Sequence, residues 1–226
     1  MKKVAIIVAG GSGLRAGGEI PKQLQTLGDR PVFAWSIKAF LEEYPGTRII
    51  LVVNERFRDM FEAGIANMRN AWTPFDCTIV SGGLTRAESV MNALKTLSPE
   101  DDMLIAVHDA ARPLVSVEMI RSGWEAAREH NAVVPAIPLT DSIRELDAAG
   151  ASHSVSRANY RAVQTPQVFK AKLLMDSYNQ LNDPSTVTDD ASVVELAGHT
   201  ITLYEGERRN MKITGPEDFI IANALI

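Results

Sequence analysis

The chain is poor in cysteine. Cys77 stands alone among 226 residues, so no intramolecular disulfide can form, which fits a reducing compartment. It also has no long apolar run. After Lys2 and Lys3 the first hydrophobic stretch ends at Ala9. That is too short for the core of a signal peptide and far too short for a membrane span, so a cytoplasmic location and no membrane partner are expected. An excess of positive charge is missing as well. The formal net charge is −5, which argues against general binding of nucleic acid polymers. It leaves room for a local basic site that takes a small anion. Repeats, low-complexity tracts and linkers are absent too, so the expectation is a single domain over 1–226.

What is present is ordinary for a globular enzyme, with 46% hydrophobic and 23% charged residues. The strands read as short, unbroken apolar runs: Val4–Ala9, Ile49–Val53, Cys77–Val80, Met103–Val107 and Ala132–Ile137. Such runs suit strands covered on both faces in a parallel sheet. Helical patterns separate them, at Pro31–Leu41, Glu55–Met68, Thr85–Leu97 and Ser116–Glu129. The third opens with a capping box, Thr85 and Glu88. Alternation of this kind predicts an α/β fold with right-handed crossovers.

Beyond Pro138 the pattern turns polar. A hairpin is expected, with strands at Asp141–Leu146 and His153–Asn159 around Gly150. It holds too few apolar residues for a core of its own, so it must pack on something else, such as a second subunit. Helices follow at Lys170–Leu181 and Asp189–Ala197, the latter stopped by Gly198. Thr200–Tyr204 reads as a strand, Asn210–Ile213 as extended chain, and Pro216–Leu225 as a closing helix with proline in its first turn.

The most informative segment is Ile6-Ile7-Val8-Ala9-Gly10-Gly11-Ser12-Gly13-Leu14-Arg15, followed by Pro21-Lys22-Gln23. A buried strand here delivers bare backbone N–H groups and two cations to one loop. That combination fits phosphates. The Walker loop fails, because Glu19 follows Gly18 where lysine is required. Gly11-Ser12-Gly13-Leu14-Arg15-Ala16 matches the dinucleotide fingerprint. However, Gly17, Gly18 and Pro21 delay the helix, and Asn54 stands where an acid belongs. An extended loop around a nucleoside triphosphate, with Arg15 and Lys22 on the phosphates, accounts for more of the segment. A glycine-rich turn with solvated charges is the plain alternative.

Further segments narrow the choice. They are Gly82-Gly83-Leu84-Thr85-Arg86-Ala87-Glu88-Ser89-Val90, Val107-His108-Asp109-Ala110-Ala111-Arg112-Pro113 and Gln164-Thr165-Pro166-Gln167-Val168-Phe169. Thr188-Asp189-Asp190-Ala191-Ser192 and Asn210-Met211-Lys212-Ile213-Thr214-Gly215-Pro216-Glu217-Asp218 complete the set. In this order, from Lys3 to the C-terminus, the chain resembles the 2-C-methyl-D-erythritol 4-phosphate cytidylyltransferase family of the non-mevalonate isoprenoid pathway. The resemblance implies a Rossmann-like, mostly parallel but mixed sheet of nucleotidyltransferase type, with helices on both faces. It also implies a β-hairpin arm at about 139–160 that clasps a homodimer.

The implied reaction joins CTP to methylerythritol 4-phosphate with help from Mg²⁺ and releases pyrophosphate. By resemblance, Arg15 and Lys22 stabilise the transition state, Lys212 steadies the attacking phosphate and the triphosphate, and Arg157 binds the attacking phosphate across the dimer interface. Ala9, Gly10, Gly11, Gly13, Gly83 and Ser89 contact CTP. Asp109, Ser142 and Thr188 face the alditol, and Asp109 alternatively lies near the metal. No covalent intermediate is needed, and Cys77 has no base motif beside it.

Other residues have blander readings. His108 is expected to be structural, because neighbours on a strand point to opposite faces. Arg86 is read equally as a phosphate ligand or a helix-surface charge. Arg112 is expected to fix its loop, and Asp189-Asp190 to complement a helix dipole. Two positions depart from the family's habit: Ser142 replaces threonine, and Leu84-Thr85 follows Gly-Gly where an acid is common. Ribitol 5-phosphate cytidylyltransferases share most of these motifs. The pair Ala110-Ala111 favours the methylerythritol enzyme, since the ribitol enzymes often carry valine at the second position. A non-catalytic nucleotide sensor on the same fold is the competitor from another class.

Overall fold

A computed structural model describes residues 1–11, 20–72 and 74–226. The chain opens with β1 (Lys3–Ala9), a small hairpin of β2 (Thr26–Leu27) and β3 (Arg30–Pro31), then α1 (Val32–Glu43). It continues with β4 (Arg48–Val53), α2 (Arg58–Ala71), β5 (Cys77–Ser81) and α3 (Arg86–Leu94). Next come β6 (Leu104–Asp109), α4 (Val117–His130) and β7 (Ala132–Pro138). The arm holds β8 (Arg144–Leu146) and β9 (Ser152–Ser154). The chain returns through β10 (Arg161–Val163), β11 (Gln167–Lys170), α5 (Ala171–Asn179), α6 (Asp190–Leu196), β12 (Thr202–Glu205) and α7 (Pro216–Leu225).

The main sheet runs β10-β7-β11-β6-β1-β4-β5, with β12 pairing parallel to β7. Strands β6, β1, β4 and β5 are mutually parallel. Their carboxyl ends therefore meet at one edge, where Val8 sits between Val52 and Asp109. β11 enters between β6 and β7 in the antiparallel sense and makes the sheet mixed.

The continuous apolar runs mean what their pattern predicts. Ile6 and Ile7 are both fully buried, and they face opposite sides of the sheet. Ile7 joins Phe33, Phe40 and Trp124 beneath α1 and α4, while Ile6 joins Val90, Leu94 and Leu174 beneath α3 and α5. Burying each such side chain stabilises the fold by roughly 1.5–3 kcal/mol, so the edge that β1 delivers is rigid. Helix α1 forms because Phe33, Ile37 and Phe40 recur on one face.

Several boundaries differ from expectation. Glu55–Phe57 is a 3-10 turn that leads into α2, and Asn54 caps it through Arg56 N. α3 stops at Leu94 rather than running to Leu97. The arm strands are shorter than predicted, and Arg157–Asn159 forms a 3-10 turn instead of finishing the second strand. Both strands are exposed throughout, so no neighbouring ladder extends them. Gln167–Lys170 is strand, and α5 begins only at Ala171. Among the described residues no helix is long and apolar enough to cross a membrane.

Candidate active site

A cleft of about 570 Å³ opens at the carboxyl edge of the parallel strands. Its wall includes Gly10 and Gly11 at the end of β1, Lys22 and Gln23, the 83–86 turn with Ser89, Asp109 and Ala111 after β6, and Lys212 and Thr214. Among the described wall residues three are cationic, Lys22, Arg86 and Lys212, and one is a carboxylate, Asp109, in a chain that is acidic overall.

Each wall is built by local chemistry. The capping box at α3 is present, with Thr85 Oγ1 accepting from Glu88 N at 3.0 Å and Glu88 Oε2 accepting from Thr85 N at 3.2 Å. Ser89 Oγ accepts from Gly83 N at 3.0 Å and donates to the Thr85 carbonyl at 2.9 Å. The Ser89 hydroxyl therefore shapes the turn from beneath. Gly83 has no freedom to be anything larger, since a Cβ there would lie 2.3 Å from Glu88 Cβ. Lys22 starts a short 3-10 turn, Lys22–Leu24, behind Pro21.

Asp109 closes β6. Its amide donates to Thr165 Oγ1 at 3.1 Å. Its carboxylate receives Lys212 Nζ at 2.7 Å on Oδ2 and Arg86 Nε at 3.2 Å on Oδ1. Burial alone would raise this carboxyl's pKa, but Arg86 and Lys212 hold it well below the usual carboxylate range. Lys212 is brought there by an extended segment. Ile213 N donates to the Ala111 carbonyl at 2.8 Å, and Thr214 N and Oγ1 donate to Asp218 at the start of α7. Buried Asn210 anchors the same segment through Nδ2 on the Thr165 carbonyl, 2.9 Å away.

His108 points to the other face, as expected of a strand neighbour. It is fully buried, with Nδ1 3.0 Å from Thr165 Oγ1 and Nε2 3.2 Å from the Arg112 carbonyl. Burial lowers its pKa to about 4, so it is neutral at physiological pH and plays a structural part. Arg112 indeed fixes its loop, donating to the Asn210 carbonyl at 2.8 Å. Cys77 has its thiol pushed up to about 12 by burial, which leaves it protonated and a poor nucleophile.

Of the residues named from sequence, Gly10, Gly11, Lys22, Gly83, Ser89, Asp109 and Lys212 share the cleft wall. Ala9 lies buried just behind them. Gly13 and Arg15 fall outside the described residues. Ser142 and Arg157 are on the arm, where Arg157 donates to the Thr140 carbonyl, and exposed Thr188 precedes α6. None of these three is part of the wall within one chain.

Two readings need correction. Arg86 is not a helix-surface charge, one of its two readings, but lines the cleft. It bridges Asp109 and Asp190, with Nη2 2.7 Å from Asp190 Oδ2. Asp189 does cap α6, accepting from Ser192 N at 3.0 Å, but Asp190 is wholly buried and paired. Gln23 and Thr214 also escaped sequence reasoning, although both adjoin residues that were singled out. The doubled acid at 189–190 was the available signal for Asp190, because one carboxylate suffices for a cap.

Open α/β sheets take their ligands at the carboxyl edge. Glycine backbone and several cations at such an edge suit the phosphate chain of a nucleotide, the arrangement a nucleotidyltransferase needs. Comparison with known proteins makes this specific. The sequence profile of the family described as IspD, 2-C-methyl-D-erythritol 4-phosphate cytidylyltransferase, matches residues 3–226. The cytidylyltransferase of that name from Bacteroides thetaiotaomicron is 41% identical over the full length of both chains. A bifunctional IspD/IspF enzyme from Bradyrhizobium is 37% identical, covering 97% of this chain and 55% of its own. The crystal structure of 4-diphosphocytidyl-2C-methyl-D-erythritol synthase from Anaerococcus prevotii superposes with a TM-score of 0.84 at 30% identity, covering 99% and 96% of the two chains. The Thermus thermophilus cytidylyltransferase does so with a TM-score of 0.73 at 29% identity, covering 100% and 98%. This chain belongs to the 2-C-methyl-D-erythritol 4-phosphate cytidylyltransferase family, and is a CTP-dependent nucleotidyltransferase.

Proposed function

We propose that the protein transfers the cytidylyl group of CTP to 2-C-methyl-D-erythritol 4-phosphate in the cytoplasm. A phosphate oxygen of the alditol attacks the α-phosphorus. The new P–O bond forms as the bond to the β-phosphate oxygen breaks, and the electron pair leaves with pyrophosphate. The observation that supports this most directly is the grouping of Lys22, Arg86 and Lys212 opposite the glycine amides in one cleft.

Two anionic phosphates repel by about 1 kcal/mol at contact in water, and by several times that in a drier site. Cations fixed before the reactants meet remove that barrier without reorganising during the reaction. In this reading Arg15 and Lys22 hold the α-phosphate and the leaving pyrophosphate. Lys212 steadies the attacking phosphate. The backbone of Gly10, Gly11 and Gly13, backed by Ala9, and the turn at Gly83 that Ser89 braces make the contacts to the nucleotide. Asp109, Ser142 and Thr188 take the alditol hydroxyls and phosphate.

Neither Arg157 nor Ser142 lines the cleft of its own chain, so the proposal has them serve the cleft of a second copy in a homodimer joined through the arm. Exposed Leu146 and Tyr160 give that arm apolar surface to bury. The cleft also fits a magnesium ion. Asp109 is the one carboxylate among the described wall residues, and its two hydrogen bonds leave acceptor sites free. Magnesium prefers one or two carboxylates, with phosphate and water completing its shell. When bound it would offset triphosphate charge, held mostly by phosphate and water with Asp109 nearby.

The test is pyrophosphate release with CTP, ATP, GTP and UTP against methylerythritol 4-phosphate and ribitol 5-phosphate. Turnover only with CTP and the methylerythritol substrate is expected. Turnover with ribitol 5-phosphate, or tight CTP binding without turnover, would overturn the assignment. Shared sites have their own signature. Equal mixtures of Arg157→Ala and Lys22→Ala protomers should recover about a quarter of wild-type activity, because half the dimers contain one intact site.

A further inference from the structure

Asp190 has no solvent exposure, and its neighbour Asp189 already caps α6. A second carboxylate there is not needed to start the helix. Taking it out of water costs several kcal/mol unless partners compensate. Both partners are present, Arg86 Nη2 at 2.7 Å and Tyr178 Oη at 2.6 Å. Gln167 on β11 fastens the same helix start, donating to Asp189 Oδ2 at 2.7 Å and accepting from Ala191 N at 2.9 Å. The anchor is therefore tied to the sheet.

We propose that Asp190 and Tyr178 are positioning residues that lock Arg86, so that Arg86 holds the Asp109 carboxylate in place when Lys212 turns to the phosphates. The inference rests on the cytidylyltransferase reading and assigns two residues outside the cleft wall to it. A guanidinium is planar, so fixing the edge at Asp190 fixes the edge at Asp109. Lys212 is the looser partner, with 43% of its side chain exposed against 23% for Arg86. An incoming phosphate competes with Asp109 for Lys212. Without a second, anchored cation, Asp109 would then be left a buried carboxylate with no counter-charge. With Arg86 locked, Oδ1 stays paired and Oδ2 becomes a fixed acceptor for a substrate hydroxyl.

Asp190→Asn and Tyr178→Phe test this, since each keeps its shape and neither lines the cleft. CTP affinity by calorimetry should stay within about twofold of wild type. The KM for the alditol phosphate should rise about tenfold in Asp190→Asn and about threefold in Tyr178→Phe, as expected of a misplaced acceptor. A parallel loss of CTP affinity and melting temperature, with no selective change in KM, would overturn the proposal as mere loosening of the fold. Unchanged KM values in folded variants would overturn it too. Should Asp190→Asn fail to fold, Tyr178→Phe alone decides. An independent readout is the Nε–H resonance of Arg86. It should exchange slowly in the wild type and faster in both variants, whether or not the assigned substrates react. Equal exchange in all three would sink the clamp, whereas a wild type that turns over neither substrate would sink the functional assignment instead.

Discussion

The cleft and the arm treat charge in opposite ways. In the cleft, ion pairs join segments far apart in the chain: Arg86 with Asp109, Lys212 with Asp109, and Arg86 with the buried Asp190. On the arm, contacts stay within the hairpin. Arg144 Nε donates to Ser152 Oγ at 2.8 Å, and His153 Nε2 lies 3.1 Å from Glu145 with both side chains mostly exposed. The first arrangement exists only in the folded domain and costs little to keep, because burial fixes it. The second is weak in water. The described cleft wall is thus braced within one chain, whereas the arm leaves polar and apolar groups exposed.

The contrast breaks most visibly at Lys212 and Lys22. Replacing either with alanine should lower kcat by about 10²–10³-fold with a much smaller effect on CTP binding. Stopped-flow release of pyrophosphate and direct CTP titration check this, and an unchanged kcat removes the residue from the chemistry.

The next largest effect is on stability rather than rate. His108 is held at a pKa of about 4 in the folded protein against an ordinary value of 6.5. The unfolded chain therefore binds more protons between those values, and stability falls as pH drops through that window. Urea unfolding should lose about 2 kcal/mol from pH 7 to pH 5 through this group, and His108→Gln should flatten that slope. Asp109, whose pKa lies below the ordinary carboxylate value, adds nothing between pH 5 and 7. Its contribution is present above its unfolded pKa and vanishes only as pH falls through the folded one.

Smaller still is Asp218→Ala, which frees Thr214 and Gly215 from the start of α7. A loss of about 1 kcal/mol in unfolding free energy is expected, with a raised KM from a slacker Lys212 segment. At the bottom lies Arg144→Ala on the arm, expected to shift stability by less than about 0.5 kcal/mol. A larger shift that depends on protein concentration would sharpen the comparison differently, by showing that the arm is stabilised from outside.

Much of this was legible before the fold was known. Unbroken apolar runs marked β1, β4, β6 and β7 because strands covered on both faces tolerate nothing else. Glycines marked the close approach at Gly10 and Gly83. What escaped depended on distance along the chain. β11 is only four residues long, and its strand character comes from slotting between β6 and β7. The partners Arg86 and Asp190 are 104 positions apart, so nothing local announced their contact. The arm failed for the reverse reason. Its polar segments on either side of Gly150 implied longer strands, but with no adjacent ladder they stop early, and Arg157 sits in a turn.

The carboxylate of Asp109 has one consequence for selectivity. By occupying Lys212, it behaves as a tethered competitor already resident among the cations. Stray monovalent anions such as chloride must displace a better-placed rival and gain little by doing so. A phosphate substrate that touches several cations together is a stronger rival, so chloride is expected to inhibit the enzyme only weakly.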